Sequence, residues 1–256
     1  MEPVLVALGL AVGLLVGMTG VGAGSLVTPA LVLSGVPPAV AVGTDLAYAA
    51  ASKSAGAAAH RAQRSVDLRL AALLALGSVP AAGLAIALLG VAGGDARSSL
   101  ITLFLGVALV LTALCLLAGR ARVAAFASRY ERRIAPNRNA LTVAAGALLG
   151  ALVALSSIGA GALGAVMLVA LYPAMPAVRI AGTDIAHAVP LTLAAALGHF
   201  WLGNVDFGLA ANLLAGSIPG IVAGSLAAGR LPEGLVRRVL ALVLLYAGAR
   251  LALAEV

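Results

Sequence analysis

An internal duplication constrains this chain more than any single motif. The stretch from Gly43 to Pro80 returns without a gap from Gly182 to Pro219, and each matched pair is offset by 139 residues. The matched positions carry the glycines and the polar side chains: Gly43-Thr44-Asp45 with Gly182-Thr183-Asp184, His60 with His199, Val66-Asp67 with Val205-Asp206, and Gly77-Ser78 with Gly216-Ser217. The chain therefore consists of two copies of one structural unit.

The composition indicates that this unit belongs in a membrane. The chain is 62% hydrophobic and 10% charged, with a mean hydropathy of +1.13, whereas roughly a quarter of the residues in a soluble domain are charged. Several apolar runs approach the ~20 residues that cross a bilayer. The net charge of +7 does not indicate nucleic-acid binding, because the arginines lie between apolar runs.

Two further features narrow the class of protein. Met1-Glu2-Pro3 lacks a basic segment, so the first apolar run is not expected to be a typical cleaved signal peptide. Cys115 is the only cysteine, which excludes an intramolecular disulfide and argues against a thiolate metal site.

Ten apolar runs are separated by Gly, Pro, Asn or charged residues. Lipid leaves only helices or closed barrels for a spanning backbone, and the runs lack the alternation of barrel strands. All are therefore predicted to be helical: 4–18, 22–33, 39–60, 66–90, 97–118, 140–157, 160–172, 178–200, 207–228 and 233–252. The one long polar stretch, 119–139, carries six arginines and is predicted to link the two repeats.

The first two runs of each half are short and meet at a glycine-rich break. Each pair is either one long helix or a broken element that starts and ends on the same membrane face. With broken pairs, thirteen of the sixteen basic residues fall on one face, and only Lys53, Arg97 and Arg250 lie elsewhere. Because cytoplasmic segments carry the excess of Lys and Arg, this distribution favours broken pairs.

This choice determines the predicted topology. A broken pair plus three spans gives each repeat an odd number of crossings, so the second repeat is inverted and both termini are expected outside. Arg-Ala-Gln-Arg follows His60, whereas Phe-Trp-Leu-Gly follows His199, as expected for equivalent ends on opposite faces. We therefore predict an all-α integral membrane protein with two inverted-topology repeats, each a broken or re-entrant helix pair plus three transmembrane helices. Repeat 1 covers 1–118, a basic cytoplasmic linker 119–139, and repeat 2 140–256.

The glycines form two kinds of pattern. Two stripes recur every four residues, which is typical of close helix packing: Gly9, Gly13 and Gly17, and Gly216, Gly220 and Gly224. Other glycines interrupt the short pairs: Gly20, Gly22 and Gly24, and again Gly159 and Gly161. A break at membrane depth must line a cavity or be buried, and its free N–H groups favour an anion. A tight turn between packed helices is the alternative.

Ionisable residues inside the apolar runs are a second functional indication. Asp45 and Asp184 are equivalent, Lys53 lies two turns after Asp45, and His187 shares a helical face with Asp184. A charge at the bilayer centre costs roughly 2.5–3.5 kcal/mol, so such residues are rarely without a role. Lys53 could supply positive charge to an anion, and Asp45, Asp184 and His187 could couple transport to protons. Helix capping near the interface is the alternative for the aspartates.

The remaining polar residues allow simpler interpretations. Four hydroxyl groups flank the breaks and can donate to an oxyanion or bond back to their helix: Ser25, Thr28, Ser156 and Ser157. His60 and His199 lie at helix ends, where a polar interfacial role is expected before a proton relay. Asp67 and Asp206 precede helices and are expected to complement the helix dipole.

The motifs of both halves together resemble a known family. They are Gly17-x-x-Gly20-x-Gly22-Ala23-Gly24, Gly43-Thr44-Asp45-Leu46-x-Tyr48-Ala49, Lys53-x-x-Gly56, His60, Val66-Asp67, and Gly182-Thr183-Asp184-Ile185-Ala186-His187. Over essentially its whole length the chain is similar to the TauE/SafE family of sulfite and organosulfur-anion exporters. The resemblance implies a bacterial inner-membrane permease for a small anion such as sulfite, a sulfonate or sulfoacetate.

We therefore expect a multi-pass secondary transporter that moves a small anion by alternating access. The predicted substrate site lies between the two breaks: Gly20, Gly22, Gly24, Ser25, Thr28, Lys53, Ser157, Gly159 and Gly161. The expected partners are the anion and the lipid bilayer. No nucleic acid, cofactor or metal is expected, and the sequence leaves open whether the chain forms a homo-oligomer. A channel or a proton- or cation-coupled carrier using the aspartates is the alternative. An enzyme is not expected, because the chain has no His-Glu-x-x-His motif and no cysteine pair.

Overall fold

The regular structure is entirely helical. The computed structural model describes residues 2–19, 24–227 and 233–253, and no strand occurs within these ranges. The helices are α1 Pro3–Thr19, α2 Gly24–Leu33, α3 Pro38–Ala62, α4 Leu68–Val91, α5 Gly94–Ala118, α6 Arg120–Arg129, α7 Glu131–Ile134, α8 Arg138–Ser156, α9 Ala162–Leu171, α10 Ala177–Trp201, α11 Phe207–Ala227 and α12 Glu233–Leu253. The all-α prediction is confirmed.

Five segments of the described chain are long and apolar enough to cross a bilayer. They are Leu68–Val91, Gly94–Ala118, Glu131–Ser156, Ala177–Trp201 and Phe207–Gly224. The third is longer than the run predicted at 140–157, because helical turns at 131–137 lead directly into α8. Helices α1, α2 and α9 are shorter apolar helices beside the glycine breaks, as the run lengths predicted.

Helix α1 packs on α11 through glycines of both helices. Gly9 lies on the backbone of Leu213, and Gly13 lies on the backbone of Ser217. In the opposite direction, Gly216 lies on the backbone of α1. A Cβ at any of these positions would overlap the neighbouring main chain, so the close approach requires glycine. The packing role predicted for these glycines is confirmed.

The same contact recurs between α8 and α4. Gly146 lies on the backbone of Leu74, and Gly150 lies on the backbone of Ser78. Leu74 and Ser78 are the repeat equivalents of the two α11 residues that α1 contacts. The first helix of each half therefore packs on the fourth main helix of the other half.

Helices α3 and α10 lie side by side and run in opposite directions. Gly43, near the start of α3, lies on the backbone of Asn204, just beyond the end of α10. Gly182, near the start of α10, lies against Ser65 and His60 at the end of α3. Each Gly-Thr-Asp triplet therefore lies beside the end of the other half's equivalent helix.

The threonines of these triplets bind the opposite half. Thr44 Oγ1 accepts a hydrogen bond from the N–H of Asp206 at 3.0 Å, and Thr183 Oγ1 accepts one from the N–H of Asp67 at 2.9 Å. Both aspartate carboxylates then accept a bond from the N–H three residues further on, at the starts of α4 and α11. The N-terminal role predicted for Asp67 and Asp206 is confirmed.

Helix α9 returns to the end of the molecule at which α8 begins. The hydroxyl of Tyr172, just after α9, lies 2.9 Å from the hydroxyl of Thr142 in the first turns of α8. The guanidinium of Arg138 lies over the Tyr172 ring, 5.2 Å from its centroid. The chain therefore reverses direction at the glycine break between α8 and α9.

Basic residues from distant segments lie at this same end of the molecule. Arg120 donates to the carbonyl of Met175 at 3.0 Å, and Arg179 pairs with Asp67 at 3.0 Å. The segment predicted as a linker is helical here, and within it Glu131 accepts a bond from the arginine that begins α8. Arginines also line two cavities at this end. Arg69 and Arg138 line one of them, and Arg120, Arg122 and Arg238 line the other.

Candidate functional site

The break between α8 and α9 contains free backbone donors. Ser157 ends α8 with φ 60°, and Gly159 and Gly161 have φ of 131° and 138°, values that residues with a Cβ rarely adopt. Residues 157–160 are buried. Within the described part of the chain, no acceptor meets the N–H groups of Gly159, Ala160 or Gly161. These groups precede or begin the N-terminus of α9, an arrangement that favours a negatively charged ligand.

Lys53 reaches this break from the first half of the chain. Its Nζ donates a hydrogen bond to the carbonyl oxygen of Ala160 at 2.5 Å. The side chain is half-buried, and no described carboxylate oxygen lies within 4.0 Å of Nζ. An ammonium has three N–H donors, so two remain beside the free backbone donors.

Asp45 is completely buried next to the break. Its Oδ2 accepts a hydrogen bond from the Thr28 hydroxyl of α2 at 2.5 Å. The carboxylate also faces Ser157, whose hydroxyl has no close hydrogen-bond partner. A Cβ on Gly24 would overlap the Ser157 carbonyl and contact Asp45 Oδ2 at 3.2 Å. Asp45 therefore joins the start of α2 to the break of the second half and does not cap its own helix.

Asp184, the repeat equivalent of Asp45, has a different environment. It is 2% exposed and packs directly on Gly164 in α9. Its Oδ1 has no hydrogen-bond partner, and no hydroxyl group in the described part of the chain donates to this carboxylate as Thr28 donates to Asp45. The backbone contacts of the two halves are alike, but the hydrogen bonding of the two carboxylates differs.

His187 extends the polar cluster toward α4. The ring is completely buried, its Nε2 lies 2.9 Å from the Ser78 hydroxyl, and its Nδ1 has no partner. The equivalent residues in the other half are Tyr48 and Ser217, whose side chains face each other without a close hydrogen bond. His187 interacts electrostatically with Lys53, and its free Nδ1 can exchange a proton.

His199, in contrast, has a structural role. Its Nε2 lies 2.8 Å from the Ala154 carbonyl oxygen, and its Nδ1 lies 3.2 Å from the amide nitrogen of Asn204. Because a carbonyl only accepts and an amide nitrogen only donates, the proton lies on Nε2 and the ring is neutral. His199 lies in the last turn of α10, as expected, and its ring is completely buried between these two groups. His60 bonds to Ser65 at 2.8 Å at the equivalent helix end.

The charges of the cluster do not balance. Lys53 interacts electrostatically with both Asp45 and Asp184, so two carboxylates face one ammonium. With all three ionised the cluster is negative, and unpaired buried charge is costly. The net charge of the cluster therefore depends on whether a carboxyl group is protonated. No described group of three or more His, Cys, Asp or Glu side chains is arranged to hold a metal ion.

Most of the predicted site residues lie at or next to the break between α8 and α9. Gly20 and Gly22 lie outside the described residues. Ser25 is buried in the first turn of α2, and the others have the positions given above: Gly24, Thr28, Lys53, Ser157, Gly159 and Gly161. Ser156 bonds back to its own helix, the alternative predicted for these hydroxyls. Ala160 was not predicted as a site residue, because it contributes its backbone carbonyl oxygen and not a side chain.

The chain has apolar spans, a helix break with free N–H groups and a buried charged cluster. Together these features define a multi-pass membrane protein with a transporter's architecture. The family model described as Sulfite exporter TauE/SafE matches residues 5–251, and the chain belongs to this family. It is 39% identical over 258 residues to the probable membrane transporter protein YjnA of Bacillus subtilis (strain 168), covering 96% of this chain and 98% of that relative. No solved structure matches. The chain is thus a membrane transporter of the TauE/SafE type and not an enzyme, as the sequence predicted.

Proposed function

We propose that this protein is a secondary transporter for a small oxyanion of the sulfite or organosulfonate class, bound at the break between α8 and α9. The observation that carries the proposal is the 2.5 Å bond from Lys53 to Ala160. It brings the one lysine of the chain to backbone N–H groups that have no acceptor among the described residues. The description of the matching family, sulfite exporter, supports this class of cargo.

The donor set suits an oxyanion with several acceptor oxygens. Sulfite and sulfonate groups carry their negative charge on oxygens bound to sulfur, and each oxygen accepts more than one hydrogen bond. The ammonium of Lys53, the N–H groups of Gly159 and Gly161 and the hydroxyl of Ser157 can donate to such a group together. Charge-assisted bonds from a fixed backbone and a lysine are strong and orient the ligand.

We also propose that the halves are inverted repeats that work by alternating access. Two observations support this topology: the reciprocal bonds of Thr44 with Asp206 and of Thr183 with Asp67, and the antiparallel packing of α3 and α10. Contacts that are exchanged between halves are those of a two-fold relation. Each half can then adopt the conformation of the other, which exposes the site to one side of the membrane at a time.

Proton coupling belongs to the same proposal. Because two carboxylates face one ammonium, an anion and a proton enter the cluster together. Asp184 is the first candidate for this proton: one oxygen of each aspartate has no partner, but only Asp45 also accepts a hydrogen bond, from Thr28, and such a bond favours the ionised form. His187 can pass a proton through its free Nδ1.

The basic end of the molecule indicates the orientation. Arg120, Arg138 and Arg179 lie together at this end, and positive residues accumulate on the cytoplasmic side. We therefore assign this end, with the 119–139 segment, to the cytoplasm, and the protein to the inner membrane of a bacterium.

Flux measurements test the proposed cargo. Purified protein is reconstituted into liposomes, and uptake of radiolabelled sulfite is measured against protein-free liposomes, with methanesulfonate, sulfoacetate, sulfate and phosphate as competitors. We expect saturable uptake that sulfite and the sulfonates inhibit more strongly than phosphate does. Uptake that none of these anions inhibits would overturn the assigned substrate class.

A cation-coupled carrier or channel that uses the aspartates is the second candidate. The excess of buried carboxylates, Asp45 and Asp184 against Lys53, favours it. The sign of the charge moved in proteoliposomes separates the two. A current that requires only a cation gradient supports the second candidate and contradicts the first.

A further inference from the structure

A polar cavity lies at the basic end of the molecule, away from the cluster at the helix break. Its volume is about 250 Å³, and it lies where the end of α5, the start of α6 and the first turns of α12 come together. Three arginines line it, Arg120, Arg122 and Arg238, together with Leu117 and Gly119. None of the described residues that line it is acidic.

The three arginines have no acidic partner among the described residues. The ion pairs within 4.0 Å in this part of the chain involve Arg138 and Arg179 instead. Arg120 Nη2 donates to the carbonyl of Met175 at 3.0 Å, which holds this side chain in place. Arg122 and Arg238 are exposed. Their positive charge is therefore available to a ligand.

The backbone adds to this positive potential. Helix α6 begins at Arg120 directly after Gly119, whose φ is 73°. No side chain caps this N-terminus, and its first turn contains no acid. The same residues line the cavity, so the positive end of the helix dipole acts together with the guanidinium groups.

The cavity also borders apolar surface, which distinguishes a lipid from a free anion. Leu117 in its wall is 39% exposed, and Leu114, one turn further into α5, is 53% exposed. On α12, Leu242 is 63% exposed one turn beyond Arg238. A phosphate held by the arginines would leave attached acyl chains beside these leucines. A free phosphate would make no use of them.

We propose that this cavity binds the phosphate headgroup of an anionic phospholipid from the leaflet at the basic end of the molecule. Arginines bind phosphate oxygens through paired N–H donors, and each basic residue near a membrane surface contributes about 1 kcal/mol toward anionic lipid. This inference concerns a different site from the transport proposal and does not depend on it.

Native mass spectrometry of the detergent-purified protein tests the proposal, with phosphatidylglycerol and phosphatidylcholine added separately. The test variant is Arg122→Gln/Arg238→Gln, which spares the arginine bonded to Met175. The control variant is Arg129→Gln/Arg133→Gln, an equal change of charge at exposed positions outside the cavity. At about 1 kcal/mol per arginine, the test variant should bind phosphatidylglycerol about 30-fold more weakly, and the control should bind nearly as the unaltered protein does.

Three results would overturn the proposal. Equal loss in both variants would show that net charge alone attracts the lipid. Equal binding of phosphatidylcholine would show that the headgroup charge is not recognised. Inorganic phosphate that displaces phosphatidylglycerol at concentrations matching the lipid would show a free-anion site without an acyl-chain contribution. Selective loss of phosphatidylglycerol in the test variant alone supports the assignment.

Discussion

The ammonium of Lys53 donates a hydrogen bond to the carbonyl oxygen of Ala160, 107 residues further along the chain. The bond connects α3 of the first half to the break of the second half, next to the two buried aspartates. Movement of one half against the other must therefore alter the position of this ammonium. Anion binding, proton coupling and the change of access are thus expected to depend on one another.

Replacing Asp184 by Asn should separate anion transport from the proton. The substitution removes one of two carboxylates that face Lys53, so an anion no longer needs a bound proton to balance the charge. We expect uptake of a sulfonate, whose own charge is constant near neutral pH, to lose its response to an imposed pH gradient. Asp45→Asn is the matched control: it removes the same charge but keeps Asp184, the proposed proton acceptor, and should therefore retain most of the response. An unchanged response in Asp184→Asn would exclude this carboxylate from coupling.

Gly164→Ala should disturb the Asp184 carboxylate without changing any polar group. The added Cβ would fall on that carboxylate, which must move away from α9. We expect much slower uptake in proteoliposomes, with a loss of thermal stability. Gly83→Ala in α4 is the control, because a Cβ there meets no atom within 4 Å, and it should be neutral or stabilising by up to ~1 kcal/mol. Equal uptake by the two variants would contradict the packing described for Asp184.

Thr44→Val and Thr183→Val should destabilise the protein to similar extents. Each removes the acceptor of an N–H group of the opposite half, and leaving a donor without a partner costs about 1–3 kcal/mol. The free energy of unfolding in mixed detergent micelles measures the effect. Thr192→Val is the control, since that hydroxyl bonds only to its own helix. A large effect in one half and none in the other would contradict the reciprocal role of the threonines.

The helices could be predicted from the sequence because lipid requires long apolar runs. The run predicted at 66–90 is the helix Leu68–Val91, and the run predicted at 160–172 is Ala162–Leu171. The linker was less predictable: its arginines indicate a polar surface, but the helix Arg120–Arg129 depends on packing that composition does not show.

The site could be predicted only where side-chain chemistry marks it. Lys53 and Asp45 stand out as charges within apolar runs. Ala160 does not, because its part in the site is a backbone carbonyl and N–H. The contact of His199 with Ala154 joins two helices, and no local pattern in the sequence encodes it. Ser78 had a visible indication, its place in the repeated Gly-Ser-x-Pro motif.

Single cysteines test the inverted topology. Cys115→Ala removes the one native cysteine, and Ser34→Cys, Ala174→Cys and Ser128→Cys then each introduce an exposed thiol. Because the loops after α2 and α9 are equivalent, inverted repeats predict that positions 34 and 174 react with an impermeant maleimide from opposite sides. Position 128 should react from the same side as position 174. Labelling of 34 and 174 from one side would mean parallel repeats.

The affinity of a Lys53→Gln variant for sulfite tests the central claim most directly. Glutamine keeps a donor for the Ala160 carbonyl but removes the charge, and a charge-assisted hydrogen bond contributes about 1.5–3 kcal/mol. Isothermal titration should therefore show affinity lower by about tenfold or more, while Thr192→Gln at the equivalent position of the other half leaves it nearly unchanged. Unaltered sulfite affinity in Lys53→Gln would contradict an anion site at the break between α8 and α9.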